Sequence, residues 1–162
     1  MNIMIRFTNT LEVLNDFGRF LVEEYKDKLI LNDAIASGSL YDSITYIIED
    51  RGKSIEVKLS LNDYAKYIEN GRKPGKWPPI SAIQKWIEIK PVLPRPMSNG
   101  QLPTTAQLAF LISRKIGLEG IAPKPLLQEC INNVWDVMKE FLEEALAKDI
   151  QEEWKIIVGM GR

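Results

Sequence analysis

An α+β fold is what this sequence predicts: a small antiparallel sheet, made of a hairpin and a C-terminal strand, packed against a long N-terminal and a long C-terminal helix. Three observations predict it. Apolar residues recur at three- and four-residue steps near both ends of the chain, from Leu11 to Leu29 and from Leu127 to Ala145. Two short runs rich in β-branched residues, 44–48 and 55–59, flank a polar connector that contains Gly52. Seven prolines between Pro74 and Pro103 mark off a stretch that cannot hold long regular structure. The 162 residues suit one domain, residues 1–162, carrying the Pro-rich basic segment 72–103 as an inserted loop.

Taken in order, the first element is an amphipathic helix of about five to six turns, with Thr8 or Asn9 as its N-cap and Leu11, Leu14, Phe17, Leu21, Tyr25 and Leu29 on its apolar face. Gly18 lowers local helix propensity, which points to close packing against another element at that position. Ser37-Gly38-Ser39 interrupts the chain before the hairpin, whose connector is Asp50-Arg51-Gly52-Lys53. The second strand alternates apolar and polar residues, as expected where one face meets solvent. A short helical turn follows over residues 63–71, with Gly71 at its C-cap.

Within the Pro-rich segment, residues 80–89 read as a short helix carrying Ile83, Trp86 and Ile87, with Ser81 as a cap. Residues 90–103 read as an extended loop. Thr104 or Thr105 can cap another short helix with Leu108, Leu111, Ile112 and Ile116 on one face and Gly117 at its end. Pro123 and Pro125 then fix the approach to the last helix, Pro125 suiting its first turn. Its apolar stripe is Leu127, Cys130, Ile131, Val134, Met138, Phe141, Leu142 and Ala145. Residues 154–159, rich in Ile and Val, read as the strand that joins the hairpin's sheet.

Composition excludes more than it includes. With no histidine, imidazole triads, histidine zinc sites and most general-base schemes near neutral pH are ruled out. The single Cys130 excludes an internal disulfide and multi-cysteine metal sites, and reads as a small core residue. Carboxylate-only chemistry survives in principle and leaves a carboxylate-dependent metal hydrolase as a third reading. It needs acids converging on a pocket, whereas Glu12, Asp16, Glu23, Glu24, Glu140, Glu143 and Glu144 fall in helical stretches and read more simply as solvated faces. Neither a catalytic nor a metal-ligating residue is assigned, and no cofactor is expected. No apolar run reaches the roughly 18–20 residues of a membrane span. The opening residues have neither the basic region nor the cleavage site of a secretory signal, so export is not expected.

Charge is strongly segregated. Residues 1–70 carry 8 basic and 12 acidic side chains, residues 71–126 carry 9 and 2, and residues 127–162 carry 4 and 8. A positive middle between negative ends calls for a partner. Arg72, Lys73, Lys76, Lys85, Lys90 and Arg95 interleave with Trp77 and Trp86, the ingredients of phosphate neutralisation and base stacking. The same residues also suit a solvated lysine face with Trp86 in the core, or a stiff arm docked on a neighbouring subunit.

Four passages, in order, resemble the tail-component or tail-completion proteins that tailed phages place between head and tail. The first, Ser37-Gly38-Ser39-Leu40-Tyr41-Asp42-Ser43-Ile44, is similar to that family's T-G-x-L-x-x-S-I passage at Gly38, Leu40 and Ser43. The second, Tyr64-Ala65-Lys66-Tyr67-Ile68-Glu69-Asn70-Gly71, is similar to its Y-A-x-x-x-E-x-G turn at Tyr64, Glu69 and Gly71. The third is Ala109 to Gly117, followed by Gly120-Ile121, similar to a helix of some members. The fourth, Ala122-Pro123-Lys124-Pro125-Leu126, stands where the family has A-R-P-F-L. The chain departs from the pattern in the length of 72–103 and in Lys124-Pro125-Leu126 for Arg-Pro-Phe.

The resemblance implies a non-enzymatic virion protein, assembled in the host cytoplasm and located in the neck or tail. It implies a homo-oligomeric ring of six or twelve copies that joins the portal side of the head to the tail around the DNA channel. Its partners would be the portal-side neck ring and tail proteins, with loose, non-specific contact to genomic DNA and none to a membrane. The residues alone leave a second reading open, a small nucleic-acid-binding module using the Lys/Trp loop.

Overall fold

The computed structural model describes residues 6–35, 37–52, 54–90 and 92–159. The opening 1–5, Lys53 of the expected turn and Pro91 of the expected loop lie outside the described residues. The described elements are α1 (Thr8–Leu31), α2 (Ser39–Ser43), β1 (Thr45–Asp50), β2 (Ile55–Ser60), α3 (Ala65–Asn70), α4 (Ile80–Ile89), α5 (Thr105–Glu119) and α6 (Leu126–Gly159). The class is α+β, with two long helices and a two-stranded antiparallel sheet. Packing divides the chain into two compact units. One gathers the chain up to Lys28, Ile44–Ser60 and Leu126 onward; the other gathers Leu29–Ser43 and Leu61–Pro125.

In the first unit, α1, α6 and the hairpin share one core. Leu21 and Tyr25 of α1 are buried, as are Cys130, Val134, Met138 and Ala145 of α6. These lie on the predicted faces, where three- and four-residue spacing keeps side chains on one side of a helix. Phe141, expected in the stripe, is instead exposed, and Trp135 is half-exposed with its ring edge-on to Phe17. The strands pair from Thr45↔Ser60 to Asp50↔Ile55. Gly52 turns the connector at φ +73° with its N–H donating to Asp50 Oδ1 at 2.8 Å. Val57 lines a small apolar cavity with Phe17, Trp135 and Leu142, so one side of the hairpin faces both long helices. Glu49 of β1 pairs with Arg51 of the connector at 2.9 Å and with Lys58 of β2 at 2.6 Å. Gly18 lies under the ring of Tyr46, where a Cβ would come within 2.3 Å of Cδ2; close packing required the glycine.

The expected C-terminal strand does not form. Residues 154–159 continue α6, a helix of 34 residues. No proline or glycine intervenes between Leu126 and Val158, and an established helix extends without a new nucleation cost. Against that, the β-branched Ile156, Ile157 and Val158 cost only tenths of a kcal/mol each, on the order of their propensity difference from alanine.

The second unit packs short helices and the Pro-rich segment. Leu40, Ala65, Ile68 and Ala109 are buried, together with Leu29 from the last turn of α1. α4 spans the predicted residues, but Pro79 rather than Ser81 holds its N-cap position. α5 starts after Thr104 as predicted and runs past Gly117 to Glu119, with Gly120 at the C-cap. Its buried positions are Ala109, Ser113 and Gly117 rather than the predicted large residues, and Leu111 is exposed. Small side chains are selected there because the chain at Trp77 and Pro78 lies directly on the helix: Ser113 Oγ donates to the Pro78 carbonyl at 2.7 Å, and a Cβ on Gly117 would lie 2.1 Å from Trp77 Cδ1. Residues 92–104 contain no helix or strand.

Candidate functional site

Three of the four passages singled out in the sequence meet in the second unit. Gly71 ends α3 at φ +66°, a left-handed value that glycine adopts freely. The chain then pairs with the segment after α5, Arg72 N–H donating to the Ile121 carbonyl at 2.9 Å and Ile121 N–H to the Arg72 carbonyl at 2.8 Å. Lys124 N–H donates to the Ile68 carbonyl at 2.8 Å. Both glycines are required by contact as well as by conformation. A Cβ on Gly71 would lie 2.3 Å from the Ile121 carbonyl oxygen, and one on Gly120 2.2 Å from that of Arg72. Tyr64–Gly71, Gly117–Ile121 and Pro123–Pro125 thus converge on one backbone junction. Glu69 is half-buried in the last turn of α3, and Tyr64 is exposed with its ring 6.5 Å from that of Tyr67.

Gly38, Leu40 and Ser43 form their own local structure. Gly38, at φ +81°, accepts Asp42 N–H and so opens α2. Leu40 is buried. Ser43 Oγ donates to the Leu40 carbonyl at 2.8 Å and accepts Asn62 N–H at 3.1 Å, which ties α2 to the chain leading into α3. Pro123 and Pro125 are exposed, and Pro125 stands one position ahead of the first residue of α6 rather than inside its first turn.

The seven residues of the basic arm have different environments. Arg72 is half-buried and donates to the Lys76 carbonyl at 2.9 Å, holding the arm's own turn. Lys90 pairs with Asp33 at 2.8 Å and has a structural role. Lys73, Lys76, Lys85 and Arg95 are exposed and make no ion pair among the described residues. Trp77 packs on Gly117, sets its ring edge against Phe110 at 6.0 Å, and keeps 47% of its surface exposed. Trp86 is half-buried and lines a groove of 270 Å³ with Leu40, Tyr64, Lys85 and Ile89. The arm therefore offers two bare lysines beside a half-exposed indole at 73–77, with Lys85 and Arg95 on other elements.

Sequence reasoning missed Asp149. Its side chain is fully buried and accepts four hydrogen bonds from the start of α1: Asn9 N–H at 2.9 Å, Asn9 Nδ2 at 2.8 Å, Thr10 N–H at 2.8 Å and Thr10 Oγ1 at 2.6 Å. Burial alone would raise this carboxyl's pKa; the bonds from Thr10 and Asn9 outweigh burial and hold it below the usual aspartate value. Thr8 and Asn9, the expected N-caps, lie inside α1, and Asp149 supplies the acceptor for the Asn9 and Thr10 amides. The available signal was an acid four residues beyond Ala145 on the buried stripe. A second groove, of 340 Å³, runs between α1 and α6, with Phe20, Val134, Val137 and Met138 as its apolar lining and the acidic Glu23, Glu24 and Asp27 along its α1 side, its rim.

Among the described residues no group of three or more His, Cys, Asp or Glu side chains could hold a metal ion, and no helix is long and apolar enough to cross a membrane. No family model, curated protein or solved structure matches this chain.

Proposed function

We propose that this chain is a structural subunit of a tailed-phage virion, forming a ring in the neck or tail that joins the portal side of the head to the tail. The observation that carries this reading is the backbone junction at Gly71, Arg72, Gly120, Ile121 and Lys124. Three passages that resemble the tail-completion family are far apart in sequence, and each supplies a backbone group or glycine that the others require. Their juxtaposition thus has a physical reason. Assembly has separate support in α6, which exposes Val137 and Phe141 one turn apart and, on another side, Leu146, Ile150 and Trp154 on successive turns. Apolar side chains left open in this way are available to a neighbouring copy. The role is architectural, and no residue is given a catalytic task.

A second reading, a nucleic-acid-binding module, is favoured by Lys73 and Lys76 beside the half-exposed Trp77. Native mass across a concentration series at moderate salt separates the two. A discrete species of six or twelve copies supports the ring. A monomer that binds DNA tightly, and loses that binding when Lys73, Lys76 and Lys85 are neutralised, replaces it with the second reading.

A further inference from the structure

We infer that the α1–α6 groove is the receptor, on one copy of this chain, for the basic arm of a second copy. This assignment rests on the ring reading and names the surfaces through which neighbouring copies would join. The groove has an apolar lining that stays partly open to solvent, with Phe20 39% and Val137 64% exposed. Its rim is acidic and incompletely neutralised. Arg19 lies over the Phe20 ring, bonds Asp16 at 2.9 Å and reaches Glu23 only at 3.8 Å. Glu24 accepts Asn133 Nδ2 at 3.2 Å, and Asp27 has no hydrogen bond or ion pair among the described residues. Lys28, on the same helix, is committed to Glu129. An apolar lining with an acidic rim selects a partner that brings an apolar side chain flanked by cations.

This chain carries such a partner itself. Lys73 and Lys76 are exposed, unpaired among the described residues, and close to Trp77, whose exposed half is a flat apolar surface. The arm is stiffened for docking. Arg72 is bonded to the Ile121 and Lys76 backbones, Gly75 N–H donates to the Gly117 carbonyl at 2.8 Å, and Pro78 is held by Ser113. A segment already fixed before it binds loses little conformational entropy on docking. Because groove and arm are different surfaces of the same chain, the contact is head-to-tail and propagates from copy to copy, as a closed ring requires. Charge complementarity, 9 basic against 2 acidic side chains over residues 71–126, favours this occupant over an acidic or neutral one.

Charge exchange in the full-length chain tests the assignment by sedimentation across a concentration series, with circular dichroism as a check that each variant folds. Glu23→Lys with Asp27→Lys reverses the rim, and Lys73→Glu with Lys76→Glu reverses the arm; all four side chains are exposed. Each double variant alone is expected to associate at least about tenfold more weakly. An equimolar mixture should recover the native mass, because each reversed arm then meets a reversed rim and each native arm a native rim. A wild-type ring that neither double variant weakens would overturn the groove assignment and leave the ring reading standing. The groove assignment also falls, and the ring reading also stands, if only the arm variant weakens the ring or if mixing restores nothing. A wild-type chain that stays monomeric at every concentration overturns both.

Discussion

Two helices of this protein begin in opposite ways. α5 is started by its own residues. Thr104 Oγ1 accepts Gln107 N–H at 3.3 Å, and Gln107 Oε1 accepts Thr104 N–H at 2.9 Å, a reciprocal capping box within four residues. α1 is started by a residue near the other end of the chain: Asp149 of α6 takes the Asn9 and Thr10 amides. Both devices satisfy N–H groups that a helix leaves without intrahelical partners. They differ in what they couple. The local cap can form as soon as α5 does, whereas the remote cap exists only when α1 and α6 are packed. The Asp149 carboxylate also carries a full charge at the positive end of the α1 dipole, which the neutral Thr104 and Gln107 do not.

The comparison is broken most severely at Asp149. Asp149→Ala would leave the Thr10 amide and hydroxyl without their acceptor in a site where Thr10 is only 6% exposed. Several charge-assisted bonds are lost together and buried donors are orphaned, so a loss of about 3 kcal/mol is expected from urea unfolding at neutral pH. A loss below about 1 kcal/mol would place the remote cap on a par with a local one.

Acid should reverse the same interaction without mutation. The folded-state pKa of Asp149 lies below its unfolded value, so its contribution is complete above the unfolded pKa and disappears as pH falls through the lower folded one. The stability gap between the native chain and Asp149→Ala should therefore be constant near neutrality and shrink progressively below about pH 4, the unfolded aspartate value. A gap that widened in acid would mean that the carboxyl is held neutral in the folded protein.

The two caps also explain which parts of the structure were legible in the sequence. Thr104 was legible because its partner is three residues away and the pattern is local. Asp149 was not, because 140 residues separate it from Asn9 and nothing near Thr8 signals that the acceptor comes from α6. The lost strand at 154–159 has the same root: β-branched residues argued locally for extension, while Asp149 and then Glu153, which accepts Arg6 N–H at 3.2 Å, carry the helix along the start of α1. On α5, large residues were expected inside, yet the close approach of Trp77 and Pro78 selected Ser113 and Gly117. In the basic arm the residue types were visible. Their division into committed cations, Arg72 and Lys90, and bare ones, Lys73 and Lys76, depends on carbonyls and an acid from other turns. Periodicity thus revealed the faces that each segment could present, and long-range pairing chose among them.

Thr104→Ala is the smallest and sharpest break. It removes the hydroxyl that Gln107 N–H uses and leaves the Thr104 amide still able to donate to Gln107 Oε1, so half the box survives. The site is exposed, and water can take up the freed N–H; the expected cost is about 1 kcal/mol. No titratable group takes part, so the cost should be the same at pH 7 and in acid, where the Asp149→Ala gap closes. Hydrogen exchange should speed up at the first-turn amides of α5 and stay unchanged at Asn9 and Thr10. If Thr104→Ala instead loosened Asn9 and Thr10 as well, a cap built from four consecutive residues would be holding more than its own helix, and the contrast between local and remote starts would fail.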